Sequence, residues 1–160
     1  MKVDRKTAAF HEAGHAVAAL TLGHSLKTVA MDRNRSEGEV TTSPMSDRDH
    51  AIVALAGPIA MSLYLGVPLD RTLPLGCIPD FGQAIEKLNR PSQAKFSAAI
   101  GDAAQLICDQ WGTVQRIAKG LLQQGSLNHN DVINCAAGWE SPRWEGPNSF
   151  SIHPLRVRKG

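Results

Sequence analysis

The segment His11-Glu12-Ala13-Gly14-His15 places two histidines four residues apart inside a run rich in alanine and leucine. That run, residues 7–22, follows an aspartate able to cap a helix and precedes a glycine able to end one. On an α-helix, side chains four apart share a face, with Cβ atoms about 5–6 Å apart. The two imidazoles can therefore reach one metal ion from a single helix.

Glu12 lies between the two histidines and is the residue of this motif that can transfer a proton. Zinc binds imidazole nitrogens at roughly 2.0–2.1 Å and makes water acidic enough to lose a proton near neutral pH. Glu12 follows His11 directly, so its carboxylate lies beside the two ligands and can take that proton as a general base. Gly14 costs a helix interior roughly 1 kcal/mol relative to alanine, which indicates a close approach by another backbone or a ligand.

A catalytic zinc site usually takes three protein ligands, so a further donor must come from elsewhere in the chain. Asp80 ends a proline-rich stretch and opens a helical one, a position that suits a ligand but more often marks a helix cap. His24 lies nine residues beyond His15 and is a poorer candidate. Cys77 is a rival that would make the site softer than is usual for this motif. The residues alone leave these alternatives open.

The rest of the sequence predicts a mainly α fold with a small β-ribbon. Two short strands are predicted at residues 26–31 and 38–42, with a polar turn between them. Residues 67–79 contain three prolines and predict a loop. Helices are predicted at residues 49–65 with a kink or break at Gly57-Pro58, at 81–88, at 92–124 with an interruption near Trp111, and at 128–137.

Length and composition favour one globular domain at residues 1–138, followed by a C-terminal tail at 139–160 that is rich in Trp, Pro, Gly and Arg. A net charge of +2 and 5% aromatic residues do not favour a nucleic-acid partner. There is no run of about 18 apolar residues, so no membrane span is expected. Three widely spaced cysteines fit reduced thiols, and we expect a cytoplasmic protein.

Three stretches of the sequence carry a family resemblance. Residues 5–18, Arg-Lys-Thr-Ala-Ala-Phe-His-Glu-Ala-Gly-His-Ala-Val-Ala, resemble almost residue for residue the zinc-binding helix of the FtsH-type ATP-dependent zinc metalloproteases. Residues 54–66 are similar to that family's helix of the form Leu-Gly-Gly-Arg-Ala-Ala-Glu. Residues 76–84 are similar to its stretch Gly-Ala-x-x-Asp-x-x-x-Ala, whose aspartate is the third zinc ligand. Residues 114–132 look like its closing helices, so the resemblance extends over about the first 135 to 140 residues.

The resemblance implies a zincin-like helical metallopeptidase domain with Zn²⁺ on His11, His15 and Asp80 and with Glu12 as general base. It also implies a peptide or unfolded protein as substrate. The family's AAA ATPase module and membrane anchors are absent from this sequence. Whether the chain acts with a separate ATPase or as a homo-oligomer therefore stays open. Pro58 stands where the family has arginine, and the interval from His15 to Asp80 is shorter than usual.

Three further points remain open at the level of sequence. The alternative to an enzyme is a non-catalytic, metal-stabilised binding or regulatory module, against which Glu12 argues because a structural metal site needs no base. Residues 38–42 offer an edge strand for an extended substrate or an ordinary core-covering hairpin. His50 and Tyr64 are candidates for stabilising an oxyanion by residue type only.

Overall fold

The computed structural model describes residues 3–31 and 38–137, so the predicted tail at 139–160 lies outside the described residues. Within that part, the fold is mainly helical with one small sheet, as the sequence predicted. The helices are α1 (Arg5–Thr21), α2 (Asp47–Leu65), α3 (Ile78–Lys87), α4 (Gln93–Asp109), α5 (Trp111–Gln124) and α6 (His129–Ala137). The strands are β1 (Leu26–Met31), β2 (Gly38–Thr42) and β3 (Ser126–Asn128), and a 3-10 helix spans Leu69–Leu75.

Helix α1 occupies the centre of the domain, where it packs against α2, α5 and β1. The backbone N–H of Thr7 donates to Asp4 Oδ1 at 2.7 Å, which makes Asp4 the N-cap that the sequence predicted. At the crossing with α2, a Cβ added to Gly14 would lie 2.6 Å from both the Ala56 carbonyl oxygen and the Ala60 Cβ. Gly14 therefore allows the close backbone approach that its cost to the helix indicated.

Helix α2 is one continuous helix, so of the kink or break predicted at Gly57-Pro58 the break is wrong, and the kink stays a prediction. Proline removes one hydrogen-bond donor and crowds the carbonyl four residues earlier, but burial on several sides can hold such a helix together. Residues 51–62 are all buried, against α1, α3 and α4. The helix ends at Gly66, which has the left-handed conformation (φ +66°) that favours glycine.

The predicted β-ribbon is part of a three-stranded antiparallel sheet with strand order β2-β1-β3. Strands β1 and β2 have the bounds that the sequence predicted. Strand β3 was not predicted, because it is only three residues long and directly precedes a capped helix. It pairs with β1 through Leu127, which lies opposite Val29, and both side chains are fully buried.

The predicted loop at residues 67–79 is wrong in two places. It contains the 3-10 helix, and α3 begins at Ile78, three residues before the predicted start. Pro79 is compatible with this earlier start, because the first turn of a helix leaves its N–H groups without intrahelical partners. Asp80 consequently lies in the first turn of α3, while Cys77 holds the N-cap position without a side-chain capping bond. The carboxylate of Asp80 is thus not the helix cap.

The C-terminal helices follow the prediction closely. The long helical stretch divides at Gln110 into α4 and α5, and Asn128 Oδ1 accepts the backbone N–H of Asp131 at 2.9 Å at the start of α6. In the described part of the chain, no single helix has the length and apolar character to cross a membrane. Helix α2 and the 3-10 helix have that length and apolar character only together, as a pair bent by 104°, and buried core helices share this composition.

We predict that Asp4→Ala lowers the free energy of unfolding by about 1 kcal/mol at neutral pH, because α1 loses its N-cap. The hydrogen bonds to Thr7 hold the pKa of Asp4 below its ordinary value of 3.8. Their contribution is therefore present above pH 3.8 and is lost as the pH falls through the lowered pKa of the folded state.

Urea unfolding at neutral and at acidic pH measures this effect. Asp4→Asn is the matched control, since asparagine caps about as well as aspartate and does not titrate. Equal stability of Asp4→Ala and the parent at neutral pH would contradict the prediction.

Candidate metal centre

Three side chains that the sequence singled out meet between α1 and α3. The Nε2 atoms of His11 and His15 are 3.0 Å apart. Asp80 Oδ2 lies 3.2 Å from His11 Nε2, and Asp80 Oδ1 lies 3.3 Å from His15 Nε2. The fold therefore brings an aspartate of α3 to the two histidines of α1 across 65 residues of sequence (80 − 15).

The separations of these donor atoms fit a zinc ion. Four ligands at tetrahedral angles and 2.0–2.2 Å from the ion stand about 3.3–3.6 Å from one another. The nitrogen and oxygen atoms of His11, His15 and Asp80 are 3.0–3.3 Å apart. Two imidazoles and a carboxylate are also donors that zinc accepts in catalytic sites, where a fourth position stays open for water. The three residues can thus hold one ion with little rearrangement.

Helix α2 fixes the orientation of the His15 ring. The Nδ1–H of His15 donates to the Val53 carbonyl oxygen at 2.7 Å, which leaves Nε2, the nitrogen that faces Asp80, as the atom available to a metal ion. The ring also lies against Gly57, where an added Cβ would overlap Nε2 and lie 2.5 Å from Cε1. Sequence reasoning missed both roles. A glycine inside a buried helix was a signal for Gly57, but nothing local indicates the Val53 carbonyl.

Cys77 lies on the opposite side of the His11 ring, with Sγ 3.6 Å from Nδ1. One ligand atom each from His11, Cys77 and Asp80 also lie within 4.8 Å of one another, so a metal group that includes the thiol can be drawn. The donor atoms of His11, His15 and Asp80 are closer together, at 3.0–3.3 Å. This set also uses Nε2 of His11, the ring nitrogen that faces Asp80, whereas the Cys77 sulfur lies beside Nδ1. We therefore favour His15 over Cys77.

The charges of the cluster are tightly linked. Burial by itself would raise the pKa of Asp80, but hydrogen bonds from His11 and His15 outweigh it and hold that pKa well below the ordinary value. Burial by itself would lower the pKa of His15, but the bond to Asp80 and the charges of Asp80 and Glu12 raise it to about 9. The carboxylate thus holds a proton on an imidazole. A divalent cation would take the place of that proton, because metal ligands bind in their deprotonated forms.

Glu12 is the buried acid of this region, with 5% of its surface exposed. Its charge contributes to the raised pKa values of His15 and Cys77, which places it within electrostatic reach of the cluster. A buried carboxylate next to metal ligands can accept a proton without itself binding the ion. The position of Glu12 is therefore compatible with the role of general base that the sequence suggested.

The remaining candidates of the sequence make other contacts. His24 Nε2 pairs with Asp49 Oδ2 at 2.8 Å, which joins the end of α1 to the start of α2. Tyr64 stacks on Phe10 with ring centroids 4.1 Å apart, and burial raises the pKa of its hydroxyl. His50 is half-buried near the start of α2. None of these contacts supports His24 as a ligand or His50 and Tyr64 as oxyanion stabilisers.

Comparison with known families supports a metallopeptidase relationship. A family model described as Peptidase M50B-like matches residues 6–69, which include His11, Glu12 and His15 but end before Asp80. This segment is less than half of the 160 residues. No curated protein matches the chain. The matched family is a metallopeptidase family other than the FtsH type, so the FtsH resemblance is supported only at the level of a metallopeptidase.

We predict that Gly57→Ala weakens zinc binding by about tenfold or more, because the new methyl group displaces the His15 ring from its place beside Val53. Titration of the metal-stripped protein against a chromophoric chelator measures the affinity. Gly101→Ala in α4 is the matched control, since an added Cβ there meets no atom within 4 Å. If Gly57→Ala binds zinc as tightly as the control does, His15 is not held in the way described.

Proposed function

We propose that this chain hydrolyses peptide bonds with the help of a zinc ion held by His11, His15 and Asp80. The observation that carries the proposal is the meeting of two Nε2 atoms and two carboxylate oxygens at 3.0–3.3 Å, from elements far apart in sequence. The match of residues 6–69 to a metallopeptidase family supports it independently. Formation of this largely buried cluster costs free energy, because each charged group loses part of its hydration, and the close contacts between its members offset that cost.

His11, His15 and Asp80 would hold the zinc ion, which would supply a Lewis acid able to make water a nucleophile near neutral pH and to polarise the scissile carbonyl. Glu12 takes the proton of the attacking water and passes it to the leaving amine nitrogen. The Val53 carbonyl and Gly57 keep His15 in the tautomer and orientation that metal binding requires. Catalysis thus depends on Glu12 for proton transfer and on α2 for the alignment of a ligand.

The proposed substrate is a peptide or an unfolded protein. Strand β2 lies at one edge of the sheet, and its outer side pairs with no other strand among the described residues. An extended segment can add to such an edge through backbone hydrogen bonds, largely independently of its sequence. A separate ATPase or self-assembly for substrate delivery, and a cytoplasmic location without nucleic-acid partners, remain proposals.

The first test concerns the third ligand. We predict that Asp80→Ala lowers zinc affinity by more than about a hundredfold, because loss of a ligand exceeds the usual effect of losing an outer partner. Metal analysis after dialysis and chelator competition measure this. Asp102→Ala is a suitable control, since its exposed ion pair with Arg48 contributes little to stability. Unchanged zinc occupancy in Asp80→Ala would show that Asp80 is not a ligand.

The second test concerns the reaction. We predict that Glu12→Gln keeps zinc bound but cleaves labelled casein about 10²–10⁴-fold more slowly, because it lacks the proton acceptor. Glu86→Gln, a change at an exposed glutamate of α3, should cleave like the parent. Full activity of Glu12→Gln would remove Glu12 from the mechanism. A zinc-loaded parent that cleaves no unfolded substrate would favour the non-catalytic binding module.

A further inference from the structure

Cys77 is a fully buried thiol that the proposed chemistry does not use. It stands at the N-cap position of α3, three residues before Asp80, and its surface is 0% exposed. Its sulfur lies 3.6 Å from His11 Nδ1 and 3.8 Å from the Met61 sulfur. The thiol also makes a hydrogen-bonding contact with Thr72. Three polar or polarisable groups therefore surround a single S–H group.

The neighbours of Cys77 determine the direction of its hydrogen bonds. The thioether of Met61 has no hydrogen to give, so it can only accept. The S–H of Cys77 donates to this sulfur, which draws the hydrogen away from His11. The hydroxyl of Thr72 donates its own hydrogen to the Leu69 carbonyl oxygen at 2.6 Å. The lone pairs of the Cys77 sulfur are thereby left for the Nδ1–H of His11.

This direction fixes the tautomer of His11. When the imidazole is neutral, as a metal ligand must be, a hydrogen on Nδ1 leaves a free lone pair on Nε2, which is the atom that faces His15 and Asp80. His15 is arranged in the same way, with the Val53 carbonyl as the acceptor for its Nδ1–H. Metal-binding histidines are regularly oriented by such a partner at the second ring nitrogen.

We propose that Cys77 is a positioning residue of the metal centre, acting as the acceptor that holds the Nδ1–H tautomer of His11. The proposal rests on the metal site of the proposed function but not on its peptidase activity. The sulfur accepts a hydrogen bond and does not bind the ion. Cys77 thereby has the same role for His11 as the Val53 carbonyl has for His15. Each histidine of the motif has its own hydrogen-bond acceptor at Nδ1.

Zinc affinity of the metal-stripped full-length chain is the first measurement. Cys77→Ala removes the acceptor, and we expect its affinity for zinc to fall about 10–100-fold. Cys77→Ser retains an acceptor of similar shape, and its affinity should stay within a few-fold of the parent. Cys108→Ala, a change at a half-buried cysteine of α4, is the control and should bind like the parent. Parent-like affinity of Cys77→Ala, or equal losses in both Cys77 variants, would overturn the proposal.

Cobalt substitution of the parent separates an acceptor from a ligand. We expect the Co²⁺ form to lack the near-ultraviolet charge-transfer band of a thiolate ligand, and the presence of that band would overturn the proposal. Long-range ¹H–¹⁵N correlation spectra of the zinc-loaded parent should show His11 protonated at Nδ1, and an unprotonated Nδ1 would overturn it as well. These two measurements need no variant, so they decide the question even if Cys77→Ala does not fold.

The outcomes also separate this proposal from the proposed function. A parent that binds zinc but cleaves nothing would contradict the peptidase activity, while the affinities and spectra would still decide the role of Cys77. A parent that binds no zinc would overturn both proposals.

Discussion

The carboxylate of Asp80 joins α3 to α1, because each of its oxygens faces the Nε2 atom of a different histidine. Desolvation opposes such a contact between ionisable groups, and only good geometry offsets it. The position of α3 depends in turn on the 3-10 helix and the left-handed turn at Gly76, which bring the chain back towards α1 after α2. The contact at Asp80 therefore requires the correct path of the whole intervening segment.

Helix α2 contributes none of the three side chains of the candidate metal centre, yet it contacts the residues that surround it. It supplies the Val53 carbonyl to His15, a contact surface without a side chain at Gly57, and the Met61 sulfur beside Cys77. Its small residues, together with Gly14 of α1, allow the two helices to approach closely at their crossing. Tight packing of this kind limits the movement of side chains and holds ligands in a narrow range of geometries.

Local patterns in the sequence predicted the helix of the motif, its Asp4 cap and the bounds of β1 and β2, because these depend on residues close in the chain. They also pointed to His11 and His15, but only the family resemblance raised Asp80 above an ordinary helix cap. They left open whether Gly57-Pro58 would kink or break α2, and they missed the early start of α3, strand β3 and the roles of Val53 and Gly57. Each of these depends on tertiary packing, such as the burial around Pro58 or the pairing of Leu127 with Val29.

The backbone of α2 at Gly57, which lies beneath the His15 ring, restricts how α1 and α2 can pack against each other. A slide of α2 by one residue would bring Ala56 or Pro58 under the imidazole, and each of these carries a Cβ where the His15 ring now lies. A misaligned packing of this kind would therefore displace the His15 ring. Occupancy by a metal ion would then favour the correctly aligned state over its neighbours, since a ligand stabilises the form that binds it.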